Sequence, residues 1–456
     1  MSNILGIDIG TTSVCALLTD VKNGKTIKSV TLPNDSFLES DKSFEKAQSP
    51  EKIIDTVKSA LTQLDTSDIS AIGVTGQMHG ILYLDKNNKP VSPLFIWQDE
   101  RGNEIYENKK TYAEYLTELT GIKASSGFGL TTHFYNIKNG LVPKNAVKIS
   151  TIHDFLVSVL TNTTPVTHAS DAASLGFFDL KNLRFDEKAL NKAGIDKSFL
   201  PEVLKNTCVA GKTDCGFLPK DIPVAVAIGD NQASFLGSVC EADSSVLVNV
   251  GTGSQVSFVT NSLTAPKCGE IRPLTDGEYI FVGASLCGGR AYQILKNFFS
   301  QCADMLGGDK NDLYKKMDAL SENIDTLNNP LKVNCEFCGT RDNPSKRGSV
   351  LNLGAENFTP AHLICGVLTG VTTELFDMYK DALPLQKCEP KYLVGSGNGI
   401  RKSEIWQKLF EKTFSLPLSL PTHSEEAATG ACVFASAASG IFENIKDAQK
   451  SLLSQV

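Results

Sequence analysis

Two turns in this chain carry the pattern Gly-Thr-x-Ser, which is suited to holding phosphate. One lies in the segment ILGIDIGTTSVCALL at 4–18 and the other in SVLVNVGTGSQVSFV at 245–259. Glycine lets the backbone approach a ligand closely, and the hydroxyl and N–H groups of such turns can point at phosphate oxygens. Hairpin geometry alone would explain one such turn. Because the pattern occurs twice, we predict that both turns bind a polyphosphate, through Thr11, Thr12, Ser13, Gly251, Thr252 and Gly253.

An acidic side chain, Asp8, lies in the apolar run that leads to the first turn. A carboxylate beside phosphate groups requires a compensating charge. A divalent cation carried by a nucleotide supplies that charge, because carboxylates hold magnesium directly or through its waters. We therefore predict that Asp8 is linked to Mg²⁺.

A second group of side chains could bind a polyol. The segment GVTGQMHGILYLD at 73–85 reads as a strand, a turn and another strand, with amide and imidazole groups at the turn. Nearby, the segment WQDER at 97–101 places a tryptophan beside a carboxylate and a guanidinium. Sugars are bound by such a mixture of an apolar ring face and oriented hydrogen bonds. The predicted sugar-binding residues here are Gln77, Met78, His79, Trp97, Asp99 and Arg101. A histidine that only bonds a neighbouring carbonyl remains the alternative for His79.

A candidate proton acceptor stands where a buried strand meets a helix. In VAVAIGDNQASFLGS at 224–238, Asp230 lies at this junction and is followed by Asn231 and Gln232. An aspartate there could simply cap the helix. Two further amides are more than a cap requires, so we predict proton acceptance by Asp230 and hydroxyl binding by Asn231 and Gln232.

A glycine-rich turn near the C-terminus could receive a nucleoside. The segment KYLVGSGNGIRKSEIWQKLFEKTFSLPLSLP at 391–421 reads as a strand, a glycine-rich turn and an amphipathic helix. Such a connection is often only a tight turn. At this position we predict contacts with base and ribose from Gly395, Ser396, Gly397 and Asn398. The small-residue helix in 423–440 permits close helix packing.

The elements that must position these residues form a repeat. Two similar hairpins separated by about half of the 456 residues predict two α/β domains with the ligand between them. A formal charge of −7 and the absence of a dense basic cluster argue against nucleic acid as a partner. Neither a signal peptide nor a membrane span is evident, which favours a cytoplasmic protein without a membrane partner. Twelve dispersed cysteines fit reduced thiols, and Cys335 and Cys338 are expected to be core or loop residues.

In this order and over nearly the full length, these motifs resemble the FGGY family of carbohydrate kinases. The resemblance implies two actin-like, ribonuclease H-like domains related by internal duplication, with a cleft between them. It implies sugar binding mainly by residues 1–240 and ATP binding mainly by residues 241–456. It also implies MgATP as the phosphate donor, Asp230 as the general base and Asp8 as the magnesium-linked residue. The oligomeric state, monomer or homodimer, stays open.

Within the family, the segments SGFGLTTHF at 126–134 and SDAASLGFFDL at 170–180 resemble the branch that phosphorylates sedoheptulose. The resemblance implies transfer to the terminal primary hydroxyl of that ketose, with Phe128 beside its longer carbon chain. D-Xylulose is the alternative substrate. Two classes without kinase activity also stay open, an actin-like nucleotide-binding chaperone or filament protein and a catalytically silent sugar sensor.

Overall fold

The computed structural model describes residues 3–322, 324, 327–340, 343 and 345–453. Contacts divide the chain into two compact units. The first comprises Met1–Cys240, Arg272–Glu278 and Thr422–Val456, and the second comprises Glu241–Ile271 and Tyr279–Pro421. One break falls after residue 240, and residues 422–456 group with the N-terminal residues.

The first 240 residues contain sixteen strands and seven helices within the described part. The strands are β1 Asn3–Ile9, β2 Ser13–Asp20, β3 Thr26–Pro33, β4 Phe37–Leu38, β5 Ala47–Gln48, β6 Ile69–Gly76, β7 Leu82–Leu84, β8 Leu94–Phe95, β9 Lys148–Ser150, β10 Val166–His168, β11 Phe178–Asp179, β12 Arg184–Phe185, β13 Glu202–Leu204, β14 Val209–Lys212, β15 Pro223–Ala225 and β16 Ile228–Gly229. The helices are α1 Pro50–Leu61, α2 Tyr112–Thr120, α3 Gly129–Lys138, α4 Ile152–Thr161, α5 Ala169–Ala172, α6 Glu187–Ala193 and α7 Asp230–Ser238.

The described residues after position 240 add eight strands and seven helices. The strands are β17 Ser245–Val250, β18 Ser254–Thr260, β19 Glu270–Pro273, β20 Tyr279–Ser285, β21 Lys332–Asn334, β22 Ser349–Leu351, β23 Tyr392–Ser396 and β24 Leu418–Ser419. The helices are α8 Gly289–Leu306, α9 Leu313–Ser321, α10 Pro360–Ala382, α11 Gly397–Arg401, α12 Glu404–Phe414, α13 Glu426–Ala438 and α14 Ile445–Leu453.

The first unit is built on a mixed sheet in the order β14-β15-β6-β1-β2-β3, with β16 also paired to β6. β1 and β2 form the predicted hairpin, and β1 runs parallel to β6. β1 and β6 are buried along most of their length, which explains their near-continuous apolar sequences. The core therefore lies on both faces of this sheet.

The second unit repeats this topology. Its central strands follow the order β20-β18-β17-β23-β24, which matches β3-β2-β1-β6-β15 of the first unit strand for strand. In each unit two antiparallel pairings are followed by two parallel ones. The predicted internal duplication is confirmed, and each Gly-Thr turn joins the first two strands of its sheet.

Small residues let helix α13 lie directly on the first unit's sheet and on α7. A Cβ atom added at Gly73 of β6 would lie 1.9 Å from the carbonyl oxygen of Ala431, and one added at Gly430 would lie 1.8 Å from that of Ala233. These approaches are possible only without a side chain. They explain why the C-terminal segment belongs to the first unit. In the described part of the chain, every helix is too short or too polar to cross a membrane.

Candidate active site

Strand register brings Asp8 and Asp230 to the same end of the first sheet. Ile9, the last residue of β1, pairs with Gly76 of β6, and Gly76 pairs with Gly229 of β16. Asp8 precedes Ile9, and Asp230 follows Gly229 as the first residue of α7. The carboxyl ends of parallel strands are where α/β proteins bind ligands. Gly229 occupies the N-cap position, so the alternative that Asp230 caps the helix is wrong.

Both carboxylates are enclosed by protein atoms, although Asp8 and Asp230 are partly exposed as whole residues. Burial, together with the nearby charges of Asp230 and Glu425, raises the pKa of Asp8 to about 7. Burial also raises the pKa of Asp230, while His153 and Arg272 oppose that shift. Asp230 therefore combines raised basicity with partial exposure of the residue, as a general base requires.

A buried cluster beside these carboxylates was not anticipated from the sequence. His153 and Asp171 are fully buried and form an ion pair, with 2.8 Å between Nε2 and Oδ2. Burial alone would lower the pKa of His153, but Asp171 and Asp154 raise it to about 9. Despite its own burial, Asp171 has a lowered pKa because of the charge and hydrogen bond of His153. These carboxylates therefore favour the protonated imidazolium of His153, which places positive charge near Asp230.

Two places in this region have the donor types of a cation site. Ligand atoms of His153, Asp154 and Asp171 lie within 4.8 Å of one another. They are already engaged, because His153 pairs with Asp171 and Thr151 Oγ1 donates to Asp154 Oδ2 at 2.9 Å. The buried Oδ1 of Asp8 also has no hydrogen-bond partner among the described residues, as is true of Oδ1 of Asp154. A carboxylate oxygen of this kind fits the predicted link of Asp8 to Mg²⁺.

The predicted turn after β6 contacts both Phe128 and the start of α7. The rings of His79 and Phe128 stack with centroids 4.9 Å apart and planes 4° from parallel. Met78 is buried, and a Cβ atom added at Gly229 would lie 2.5 Å from its Cε. Three predicted sugar-binding residues therefore lie together, and Met78 packs against the residue before Asp230.

The first Gly-Thr turn contacts two predicted sugar-binding side chains. The hydroxyl of Thr11 donates to Gln77 Oε1 at 3.2 Å and accepts from Trp97 Nε1 at 3.0 Å. Gln77 also donates to Gln48 Oε1 at 2.8 Å. Trp97 is 45% exposed. In this structure Thr11, which was predicted to bind phosphate, therefore bonds the side chains of Gln77 and Trp97, whereas the neighbouring Thr12 is exposed.

Asp99 and Arg101 are placed differently from the other predicted sugar-binding residues. Both are about 1% exposed, and Arg101 donates Nε and Nη2 to the carboxylate of Asp99 at 2.7 and 3.0 Å. Arg101 also pairs with Glu45 at 3.2 Å and stacks over Phe95. This buried network anchors the segment that carries Trp97.

The two predicted amides that follow Asp230 also differ in their surroundings. Gln232 is fully buried and donates Nε2 to the carbonyl of Pro273 at 3.0 Å, which ties α7 to the short segment 272–278. Asn231 is half-buried, and its backbone N–H bonds to the Asp230 carboxylate and so lowers the pKa of that residue. Asn231 therefore remains better placed than Gln232 to face a ligand.

Within the second unit, the predicted nucleotide-binding turns lie side by side. β17 and β23 pair in parallel, which sets Asn249 opposite Ser396, and Asn249 Nδ2 donates to Ser396 Oγ at 2.7 Å. Gly397 has a φ of +82° and its Cβ position lies 2.6 Å from the carbonyl of Val250, so glycine is required there. Thr252 and Asn398 are exposed.

The beginning of α8 holds the second Gly-Thr turn. Gly289 N–H donates to the carbonyl of Gly251 at 2.8 Å, and the amides of Gly288 and Arg290 both donate to the carbonyl of Thr252 at 3.1 Å. Gly253 completes the turn before β18. These bonds fix the backbone while the Thr252 side chain stays exposed, as contact with a phosphate would require.

Cys335 and Cys338, which lie close together in the sequence, form no group of metal ligands among the described residues. All twelve thiols are free, and Cys335 is buried. Cys338 Sγ lies 3.7 Å from Cys287 Sγ. Among the described residues, the one grouping with the geometry of metal ligands is the histidine cluster, which contains no cysteine.

Comparison with known proteins agrees with this architecture. The N-terminal domain model of the FGGY family of carbohydrate kinases matches residues 3–237. The chain is 26% identical to the sedoheptulokinase of Mus musculus, over 91% of this chain and 93% of that protein. It is 27% identical to the xylulose kinase of Lactococcus lactis, over 99% of this chain and 91% of that protein.

A solved structure extends the likeness to three dimensions. The glycerol kinase of Plasmodium falciparum, crystallised with ADP, superposes with a TM-score of 0.82 at 19% identity, over 99% of this chain and 92% of that chain. The chain therefore belongs to the FGGY family of carbohydrate kinases and has its two-domain, actin-like fold. The family predicted from the motifs is confirmed.

Proposed function

We propose that this carbohydrate kinase transfers the γ-phosphate of MgATP to the terminal primary hydroxyl of a ketose, with sedoheptulose as its preferred substrate. The observation that carries the proposal is the position of Asp230, a partly exposed residue set at a strand end beside the turn of Met78 and His79. A proton acceptor next to an imidazole and an aromatic surface suits a substrate that carries several hydroxyl groups.

In the proposed reaction, Asp230 accepts the proton of the sugar hydroxyl while that oxygen attacks the γ-phosphorus and ADP leaves. The raised pKa of Asp230 increases its affinity for this proton. His153 offsets the negative charge that Asp8, Asp171 and Asp230 place in one region. Mg²⁺ would neutralise charge on the phosphate oxygens, and Asp8 would hold it directly or through water.

Phosphate binding is assigned to the two Gly-Thr turns, with Thr12 and Thr252 as the side chains directed at the nucleotide. Both threonines are exposed, and both turns keep their backbones fixed by neighbouring bonds. The adenosine is assigned to the turn of Gly395 to Asn398, which is hydrogen-bonded to β17.

Preference for sedoheptulose is supported by the region around Phe128. Phe128 stacks on His79, and it lies between two glycines, Gly127 and Gly129. In the structure these glycines allow close packing rather than open space, because a Cβ atom at Gly127 would lie 2.1 Å from the Trp97 carbonyl oxygen and one at Gly129 would lie 2.5 Å from Ile81. The proposed preference depends on the extra hydroxyls of the longer sugar, each of which contributes roughly 0.5–1.5 kcal/mol when well paired, or about tenfold in specificity when one or two are paired. The likeness to mouse sedoheptulokinase agrees with this choice.

The test is a coupled assay of ADP release with sedoheptulose, D-xylulose, D-ribulose and glycerol. We expect the highest kcat/KM for sedoheptulose and a product phosphorylated at the terminal carbon. A clear preference for D-xylulose would make that sugar the substrate in place of sedoheptulose and would leave the proposed role of Asp230 unchanged. Sugar-independent ATP hydrolysis would indicate a chaperone or filament protein, and sugar binding without turnover would indicate a sensor.

A further inference from the structure

Ser174 links two parts of the active-site region through three hydrogen bonds. It lies in a single 3-10 turn, Ala173–Leu175, directly after α5. Its hydroxyl accepts from the backbone N–H of His79 at 3.1 Å and donates to Asp171 Oδ1 at 3.2 Å. Its carbonyl accepts from His79 Nδ1 at 2.7 Å. Because Asp171 also pairs with His153, a continuous chain of contacts runs from His79 to His153.

The bonds to Ser174 determine both the position and the protonation of His79. A carbonyl oxygen can only accept, so Nδ1 of His79 must carry a proton. The backbone of His79 has a φ of +72°, a left-handed conformation that costs a residue with a side chain about 1 kcal/mol or more. Surrounding contacts must hold this turn, and Ser174 and the stacked Phe128 supply them.

We propose that Ser174 and Asp171 are positioning residues for sugar binding, which hold the His79 turn in its left-handed form and connect it to the His153 cluster beside Asp230. This inference rests on the proposed function, because it assumes that His79 faces the sugar. It adds two residues, neither of which the motif pattern singled out as a site residue. Ser174 acts through His79, and Asp171 acts through Ser174 and His153.

The kinetic test is Ser174→Ala. We expect the KM for the preferred ketose to rise about tenfold, because a fixed turn is lost while the substrate contacts themselves remain possible. The KM for ATP should change less than twofold and kcat less than about threefold. Ser174→Cys, nearly the same size but a weak hydrogen-bonding group, should give the same result if the alanine variant folds poorly.

A matched control is Ser158→Ala in α4. Ser158 is 4% exposed and Ser174 is 6% exposed, and each donates its hydroxyl in one hydrogen bond. Ser158 donates to the carbonyl of Thr163, just after α4, whereas Ser174 donates to Asp171. If Ser174 has only a structural role, both variants should melt at a lower temperature and keep the wild-type KM for the sugar. That result would overturn the inference.

Hydrogen–deuterium exchange of the peptide that contains residues 76–80 tests positioning without any turnover. We expect exchange in this peptide to rise several-fold in Ser174→Ala and to stay at the wild-type rate in Ser158→Ala. Unchanged exchange in both variants would overturn the positioning role, even if no ketose were phosphorylated by the wild type. Increased exchange with an unchanged sugar KM would overturn the link to sugar binding. Absence of ketose-dependent ADP release from the wild type would instead contradict the proposed function.

Discussion

At the scale of single residues, charge and enclosure decide what Asp230 and Asp8 can do. Each carboxylate is surrounded by protein atoms, and each residue is partly exposed. Burial raises the pKa of both side chains, and they interact with each other as like charges. His153, paired with Asp171, is the nearby fully buried cation that limits this repulsion. The region therefore holds a candidate general base, Asp230, in a balanced set of charges.

Asp230→Asn should leave the fold and nucleotide binding nearly intact while kcat falls at least about a hundredfold, the usual effect of removing a positioned general base. Steady-state kinetics and nucleotide titration measure the two effects separately. Asp186→Asn is the matched control. Asp186 caps α6, a different helix from the one that carries Asp230, and asparagine caps a helix equally well. Near-normal turnover of a folded Asp230→Asn variant would contradict the assignment.

Asp8→Asn should stabilise the ligand-free protein more at pH 8 than at pH 5. A carboxyl whose folded pKa is raised to about 7 stabilises the fold most below its unfolded value of 3.8. That contribution is lost as the pH rises towards and through 7. The shift corresponds to at most about 4 kcal/mol, and to less because Asp8 is partly exposed as a residue.

The measurement for Asp8 is the difference in melting temperature between the variant and the wild type at each pH, without nucleotide. Taking this difference removes the pH dependence of all other groups. The same difference at pH 5 and at pH 8 would show that the pKa of Asp8 is not raised in the folded protein.

At the scale of elements, each sheet presents a Gly-Thr turn between its first two strands, with an exposed threonine at the turn. Thr12→Val and Thr252→Val should each raise the KM for ATP about tenfold, because a hydrogen bond to a charged phosphate contributes about 1.5–3 kcal/mol. The sugar KM should change little. Thr31→Val, at an exposed position of β3, is the control. Wild-type kinetics in both turn variants would exclude phosphate binding by these hydroxyls.

Close packing of α13 on α7 is a second property of elements. Gly430→Ala would place its Cβ 1.8 Å from the carbonyl of Ala233, a backbone atom that cannot give way locally. We expect a loss of about 1–3 kcal/mol or more in the free energy of unfolding, and a lower kcat because α7 carries Asp230. Denaturant unfolding and steady-state assays measure both. Gly308→Ala, whose nearest neighbour is at 3.7 Å, should be tolerated.

At the scale of the whole molecule, the division into units does not follow chain order. Residues 422–456 belong to the first unit although they follow the entire second unit. A chain that ends at Pro421 would leave the faces of β1, β6 and α7 uncovered by α13. We expect this truncated protein to be unfolded or aggregated, as shown by circular dichroism and limited proteolysis. A truncated chain that melted like the full-length protein would contradict the role of this segment in the first unit.

The sequence by itself determined the features that depend on neighbouring residues. Apolar runs on either side of Gly10 and Gly251 predicted the two hairpins, and their recurrence predicted the duplicated sheet. The strand-to-helix junction at Asp230 was evident because a buried strand and a helical pattern meet there. Each of these signals is contained within about fifteen residues, where periodicity and turn chemistry are sufficient.

Tertiary structure alone decided which distant side chains meet. His153 and Asp171 are 18 positions apart in the first turns of separate helices, where each reads as an ordinary polar residue. Asp99 and Arg101 suggested a ligand contact from their types, but their burial and mutual hydrogen bonds depend on how Glu45 and Phe95 pack around them. Long-range contacts of this kind leave no local pattern, because packing of whole elements determines both the pairing and the desolvation of charges.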